Sequence, residues 1–139
     1  MTESTIYDQL PEKVELFQRY LPIFRTAMGM TADDLAGALD VTRATIANIE
    51  NGRTKIQKIY ILAFMSIMQI YIDSGGSDIV TCIVTSLLDD DQRLGELLEK
   101  ARYKSGRGAG IAEAQKNIVD AYKDYMYKNY ISAVHRRSL

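Results

Sequence analysis

Few side chains in this sequence could do covalent or metal chemistry. One cysteine, Cys82, and one histidine, His135, stand far apart in 139 residues, and a zinc site needs several such ligands. Cys82 falls in an apolar stripe and reads as a small core residue rather than a nucleophile. His135, next to Arg136 and Arg137 near the C-terminus, reads as part of a solvated tail. Asp89-Asp90-Asp91 lacks the ligand spacing of a calcium loop and suits a helix start. The run from Gly106 to Gly110 has no Gly-Lys-Ser/Thr ending and follows no strand, so it is a linker rather than a phosphate loop. The remaining acids gather at helix starts instead of pairing on an apolar background. The expectation is a protein that is not an enzyme, with no catalytic residue, no metal and no cofactor.

Non-covalent chemistry remains, and the cations are unevenly placed. Between Thr42 and Lys58 stand Arg43, Arg53, Lys55 and Lys58 against the single acid Glu50, a local charge of +3 in a chain of net charge −1. A basic face on an otherwise acidic molecule suits contact with nucleic acid through one surface.

The elements that must position these residues read as helices almost throughout, because no long window alternates apolar and polar residues as a strand would. Residues 12–21 carry Val14, Leu16, Phe17 and Leu21 at helical spacing behind Pro11, which suits a first turn. Pro22 either starts a second helix or kinks a continuous one, and Gly29 ends it. Thr31 with Asp34 forms a capping-box-like pair opening a helix whose inner face is Leu35, Ala36 and Leu39. After the break at Asp40-Val41, Thr42 caps a helix with Ile46 and Ile49 inside, ended by Asn51-Gly52. Residues 56–72 form one or two very apolar helices. Asp73-Ser74-Gly75-Gly76-Ser77 is the clearest boundary in the chain. Beyond it come helices over 78–88, over a stripe of Leu94, Leu97, Leu98 and Ala101, and over roughly 111–135 with Ile111, Ile118, Tyr122 and Tyr125 on one face.

Two short helices joined by a tight break, with Leu35, Leu39, Val41, Ile46 and Ile49 as contacts, cannot bury those residues alone. They need the neighbours that 23–29 and 57–70 supply. The stretch FRTAMGMTADDLAGALDVTRATIANIENGRTK resembles the Cro/phage-repressor helix-turn-helix family, also called XRE, over about residues 23–72. The resemblance implies an all-α fold: a five-helix repressor-like helix-turn-helix domain over 1–73 with its N-terminal helix, followed by a helical C-terminal extension over 78–139. It implies that the helix from Thr42 is the recognition helix in the major groove. Arg43 and Asn48 would then face base edges, Arg suiting guanine and Asn adenine through bidentate pairs. Thr42, Ala44 and Thr45 would line the same face. Asn51, Arg53 and Lys55 would hold the sugar-phosphate backbone, and Arg25 would pair with Glu50 as a structural ion pair. The chain departs from the family at three places. Asp40 stands at the usual turn glycine, Ala32 (beside Asp33 and Asp34) at a usual phosphate-binding Gln, and Ile56 at a usual loop proline.

The family implies double-stranded DNA as partner and transcription regulation as function, specifically a repressor of the kind encoded by phage, mobile elements and toxin–antitoxin operons. Binding would be as a homodimer, because two recognition helices must reach successive major grooves about 34 Å apart. The helices of 78–139 are the expected dimerisation region. The alternative is a protein-interaction module, antitoxin-like or otherwise partner-binding, working through a Tyr-rich C-terminal helix with Ile118, Tyr122, Tyr125 and Tyr130. The sequence shows no signal peptide at its start and no apolar run long enough for a membrane span. With a single cysteine as well, a reducing cytoplasm is the expected compartment and no membrane partner is expected.

Overall fold

The computed structural model describes residues 11–106 and 108–131. Among them the chain is all-α: α1 (Pro11–Ala27), α2 (Ala32–Leu39), α3 (Arg43–Glu50), α4 (Lys58–Asp73), α5 (Ile79–Leu88), α6 (Gln92–Arg102) and α7 (Ile111–Met126), followed by a π-helical turn at Tyr127–Ile131. Among the described residues no helix is long and apolar enough to cross a membrane.

α1 is the central element. Its C-terminal third is buried all round, Ile23 through Ala27 without a gap, which marks a helix enclosed by neighbours rather than lying on a surface. It packs on α5, α6 and α7 as well as on α3. It therefore belongs to the helix-turn-helix and to the C-terminal region at once, and residues 78–126 pack onto the rest of the chain rather than standing apart from it. Pro22 lies inside α1 without ending it, so the segments on either side of the proline are one helix. The Thr26 hydroxyl donates to the Pro22 carbonyl at 2.7 Å. Gly29, at φ +74°, closes α1: its N–H donates to the Thr26 carbonyl and the Met30 N–H to the Arg25 carbonyl, both at 2.9 Å. This is the left-handed cap that glycine supplies without steric cost.

Beneath the helix-turn-helix, three fully buried rings meet. Phe17 and Phe24 on α1 have centroids 5.4 Å apart, and Phe64 on α4 stands 5.5 Å from Phe17 and 6.4 Å from Phe24. Such tilted and edge-on pairs add to the area they bury. Leu35, Ile46, Ile49, Ile56 and Ile61 belong to the same buried cluster, which continues through Val80, Ile83, Leu87, Leu94, Leu98 and Ile118.

Several expectations change. The apolar run over 56–72 is one helix, and it begins at Lys58: Gln57 occupies the N-cap position without a side-chain capping bond, and Ile56 is buried in the loop before it. Cys82 is exposed, not a core residue, because α5 turns Val80, Ile83, Val84, Leu87 and Leu88 inward and position 82 falls outside that stripe. Leu97 also lies off the buried face of its helix, at 37% exposure. The last α-helix runs to Met126 and passes into the π-helical turn to Ile131; the rest of the expected helix to 135, His135 included, lies outside the described residues. The acidic run is a helix start: the Asp91 carboxylate caps α6, accepting from the Leu94 N–H at 3.0 Å.

Phe64→Ala should cost about 3–5 kcal/mol, the range for emptying a buried phenylalanine site. Urea denaturation followed by circular dichroism reads this as a lower midpoint with an unchanged slope.

Candidate nucleic-acid interface

The turn between α2 and α3 is built by two caps and one left-handed residue. The Thr31 hydroxyl accepts from the Asp34 N–H at 3.0 Å, and the Asp34 carboxylate accepts from the Thr31 N–H at 2.9 Å. This reciprocal box opens α2. The Thr31 N–H, and after it the Thr31 hydroxyl, hold the Asp34 carboxyl below its ordinary range. The box therefore stabilises α2 above the unfolded-state pKa, and its contribution is lost as pH falls through the depressed folded-state value.

Asp40 sits at φ 56°, ψ 46°, and the Val41 N–H reaches back to the Ala36 carbonyl at 2.9 Å. The residue in place of the usual glycine thus adopts the glycine conformation, which aspartate tolerates better than most. Thr42 caps α3, its hydroxyl accepting from the Thr45 N–H at 3.2 Å and lying 3.0 Å from the Thr45 hydroxyl.

α3 is held from behind by Ile46 and Ile49 and at its C-terminal end by Arg25 and Glu50. The Arg25 guanidinium reaches Glu50 through Nε at 2.7 Å and Nη2 at 3.1 Å, and its Nη1 donates to the Met30 carbonyl at 3.1 Å. Both side chains are only 10–12% exposed. This geometry spends three of the guanidinium's five donors and ties the end of α3 to α1.

The loop after α3 is fixed in two ways. Gly52, at φ +75°, and Arg53 close the helix by donating to the Ile49 and Asn48 carbonyls at 3.1 and 2.9 Å, a complete Schellman ending. Gln18 on α1 then stitches the loop down. Its amide nitrogen donates to the Ile49 carbonyl at 2.8 Å and the Thr54 carbonyl at 2.7 Å, and its oxygen accepts from the Ile56 N–H at 3.0 Å. Sequence reasoning missed Gln18, because a glutamine on a helix gives no signal of the backbone groups that tertiary folding brings to it.

Most of the expected contact residues are open to solvent. Thr42, Arg43, Ala44, Asn51, Arg53 and Lys55 are exposed, while Thr45 and Asn48 are half-buried. Arg43 also lies 3.5 Å from the Asp33 carboxylate of α2, both highly exposed. An acid thus stands beside the expected base-reading cation, a neighbour that the linear sequence places ten residues away.

The C-terminal set behaves differently. Ile118 and Tyr122 lie in the chain's own core, at 0% and 7% exposure, so the expected interface loses these two residues to internal packing. The same burial raises the Tyr122 hydroxyl pKa. Tyr125 is half-buried and donates to the Asp91 carboxylate at 2.8 Å; that hydrogen bond, with some burial, pushes its pKa up. Of the four, Tyr130 alone is broadly exposed.

Comparison with known proteins agrees with this geometry. Residues 23–73 match the family described as helix-turn-helix, a family of DNA-binding regulators rather than enzymes. No curated protein and no solved structure matches the chain.

Glu50→Ala should destabilise the protein by about 3–5 kcal/mol, because it leaves the Arg25 guanidinium buried without its partner. Replacing both residues with apolar ones of similar size should recover most of the loss in thermal melts. Equal melting temperatures for Glu50→Ala and the wild type would show that the pair holds nothing in place.

Residues 23–73 form a helix-turn-helix domain of the Cro/phage-repressor type, the XRE family.

Proposed function

We propose that the chain is a sequence-specific transcriptional regulator that represses by occupying an operator as a homodimer, with α3 in the major groove of each half-site. One observation carries this reading. α3 is clamped from behind by Ile46, Ile49 and the Arg25–Glu50 pair, and turns Thr42, Arg43 and Ala44 to solvent. A helix fixed this rigidly while offering an arginine at its start suits reading a surface outside the molecule. Arg43 and Asn48 read base edges in this scheme, Thr42, Ala44 and Thr45 line the same approach, and Asn51, Arg53 and Lys55 bind phosphates. The helix needs no adjustment of its own on binding, so little ordering entropy opposes the contact. The alternative, a partner-binding tyrosine face, is weakened by the burial of Ile118 and Tyr122.

Asp33 gives the site a restraint. Its carboxylate pairs with Arg43 in the free protein and stands on the side that would approach phosphates, so it opposes binding twice.

The test is fluorescence anisotropy against DNA from upstream of the chain's own gene and against scrambled DNA, at two salt concentrations. Preference for the upstream DNA, with affinity falling steeply in salt, is expected. Arg43→Ala should lose about 1–3 kcal/mol of that preference. Asp33→Asn should tighten binding to both DNAs by about two- to five-fold, since an exposed ion pair is worth no more than about 1 kcal/mol. Equal, weak binding to both DNAs that ignores Arg43→Ala would refute the reading.

A further inference from the structure

α4 is the most apolar long helix among the described residues, yet it is no better covered than the far more polar α7. Between Lys58 and Asp73 its fourteen residues include no charge. Only Ile61 and Phe64 are fully buried, and its main helical neighbour is α2. Ile59 and Ile70 are 61% and 64% exposed, Leu62 and Met65 37% and 38%. Ile59, Leu62, Ser66, Gln69 and Asp73 recur at three- and four-residue intervals and so share one face, flanked by Met65 and Ile70. An apolar stripe of this kind on a folded protein marks a contact surface. Between its charged ends the exposed apolar side chains are Ile59, Leu62, Met65 and Ile70, the kind of uncharged centre an interface has.

The charges at its ends indicate what covers it. The stripe is bounded by a lysine at the N-terminal end and an aspartate at the C-terminal end. A second α4 laid antiparallel across it sets the basic end of each helix beside the acidic end of the other. With the two-fold axis at Ser66, Leu62 of each copy faces Ile70 of the other, and the small Ser66 meets itself, which lets the helices approach closely. The pairing is self-complementary, as a two-fold interface must be, and the two helix dipoles oppose favourably. α5, α6 and α7 spend Ile83, Leu87, Leu94, Leu98 and Ile118 inside the chain. We infer that α4 is the homodimer interface, in an antiparallel pairing centred on Ser66. The inference rests on the operator reading for the reason a dimer is useful, but its test does not depend on DNA.

Light scattering on the full chain without DNA should give twice 15.7 kDa, and Ile70→Glu should return it to 15.7 kDa with an unchanged helical spectrum and a melting temperature that no longer depends on protein concentration. In a Cys82→Ser background, Ser66→Cys should form a covalent dimer on mild oxidation, while Glu113→Cys should not. A wild type that stays monomeric at tens of micromolar overturns the inference. So does a dimer that survives Ile70→Glu, or one in which the position-66 thiol fails to cross-link. A chain that dimerises through α4 yet shows no preference between DNAs would sink the operator reading and leave this interface standing.

Discussion

The Arg25–Glu50 pair sits where the two purposes of the fold meet. α1 needs to be enclosed to serve as the centre of the core, and α3 needs one face free. A short helix of eight residues has too little apolar surface to be held by packing alone: Ile46 and Ile49 are its only fully buried side chains. The bidentate pair adds a directional tie at the C-terminal end of α3, and the third bond from Arg25 to the Met30 carbonyl draws the entry to α2 into the same clamp. A charge pair so deeply placed adds little net stability over an apolar substitute, but it is strongly unfavourable to break on one side. Its value is geometric: it fixes the angle at which α3 leaves the core.

Gln18 extends the same logic to the loop. Three bonds from one amide hold the Ile49 and Thr54 carbonyls and the Ile56 N–H, pinning the end of α3 and the loop after it to α1. The usual loop proline is absent, and Ile56 instead drops its side chain into the core. The loop that carries Arg53 and Lys55 is thus anchored at both ends. Cations on an anchored loop lose less freedom on meeting phosphates than cations on a mobile one.

The far half of the chain plays a supporting part. α5, α6 and α7 close over α1 and use their apolar faces there. Gln115 on α7 donates to the Ala27 carbonyl at 3.0 Å and to the Tyr71 hydroxyl at 3.1 Å, joining the end of α1 to the end of α4. Lys13 on α1 donates to the Leu88 carbonyl at 3.1 Å, satisfying the end of α5. These ties make the extension a brace for the helix-turn-helix, and they leave α4 as the apolar helix whose outer face is still open.

Local signals decided much of this in advance. The Thr31–Asp34 box, the Thr42 cap, the Gly29 and Gly52 endings and the inward positions of Leu35, Ile46 and Ile49 depend on residues within a turn or two of one another, so their types and spacing sufficed. The register of the family motif placed Arg25 opposite Glu50 and Arg43 on the outer face of α3. What the linear order could not decide was which of two apolar faces goes inside. Cys82 and Val80 belong to equally apolar stripes, as do Ile70 and Ile61, and periodicity alone ranks them alike. The choice depends on what packs against the helix. α1 turned out to be long enough, running through Pro22, to serve both halves of the chain, and so it drew Ile118 and Tyr122 inward and left α4 partly bare. The partners of Gln18 and the nearness of Asp33 to Arg43 were hidden for the same reason: a polar side chain carries no record of the backbone or charge that tertiary folding will set beside it.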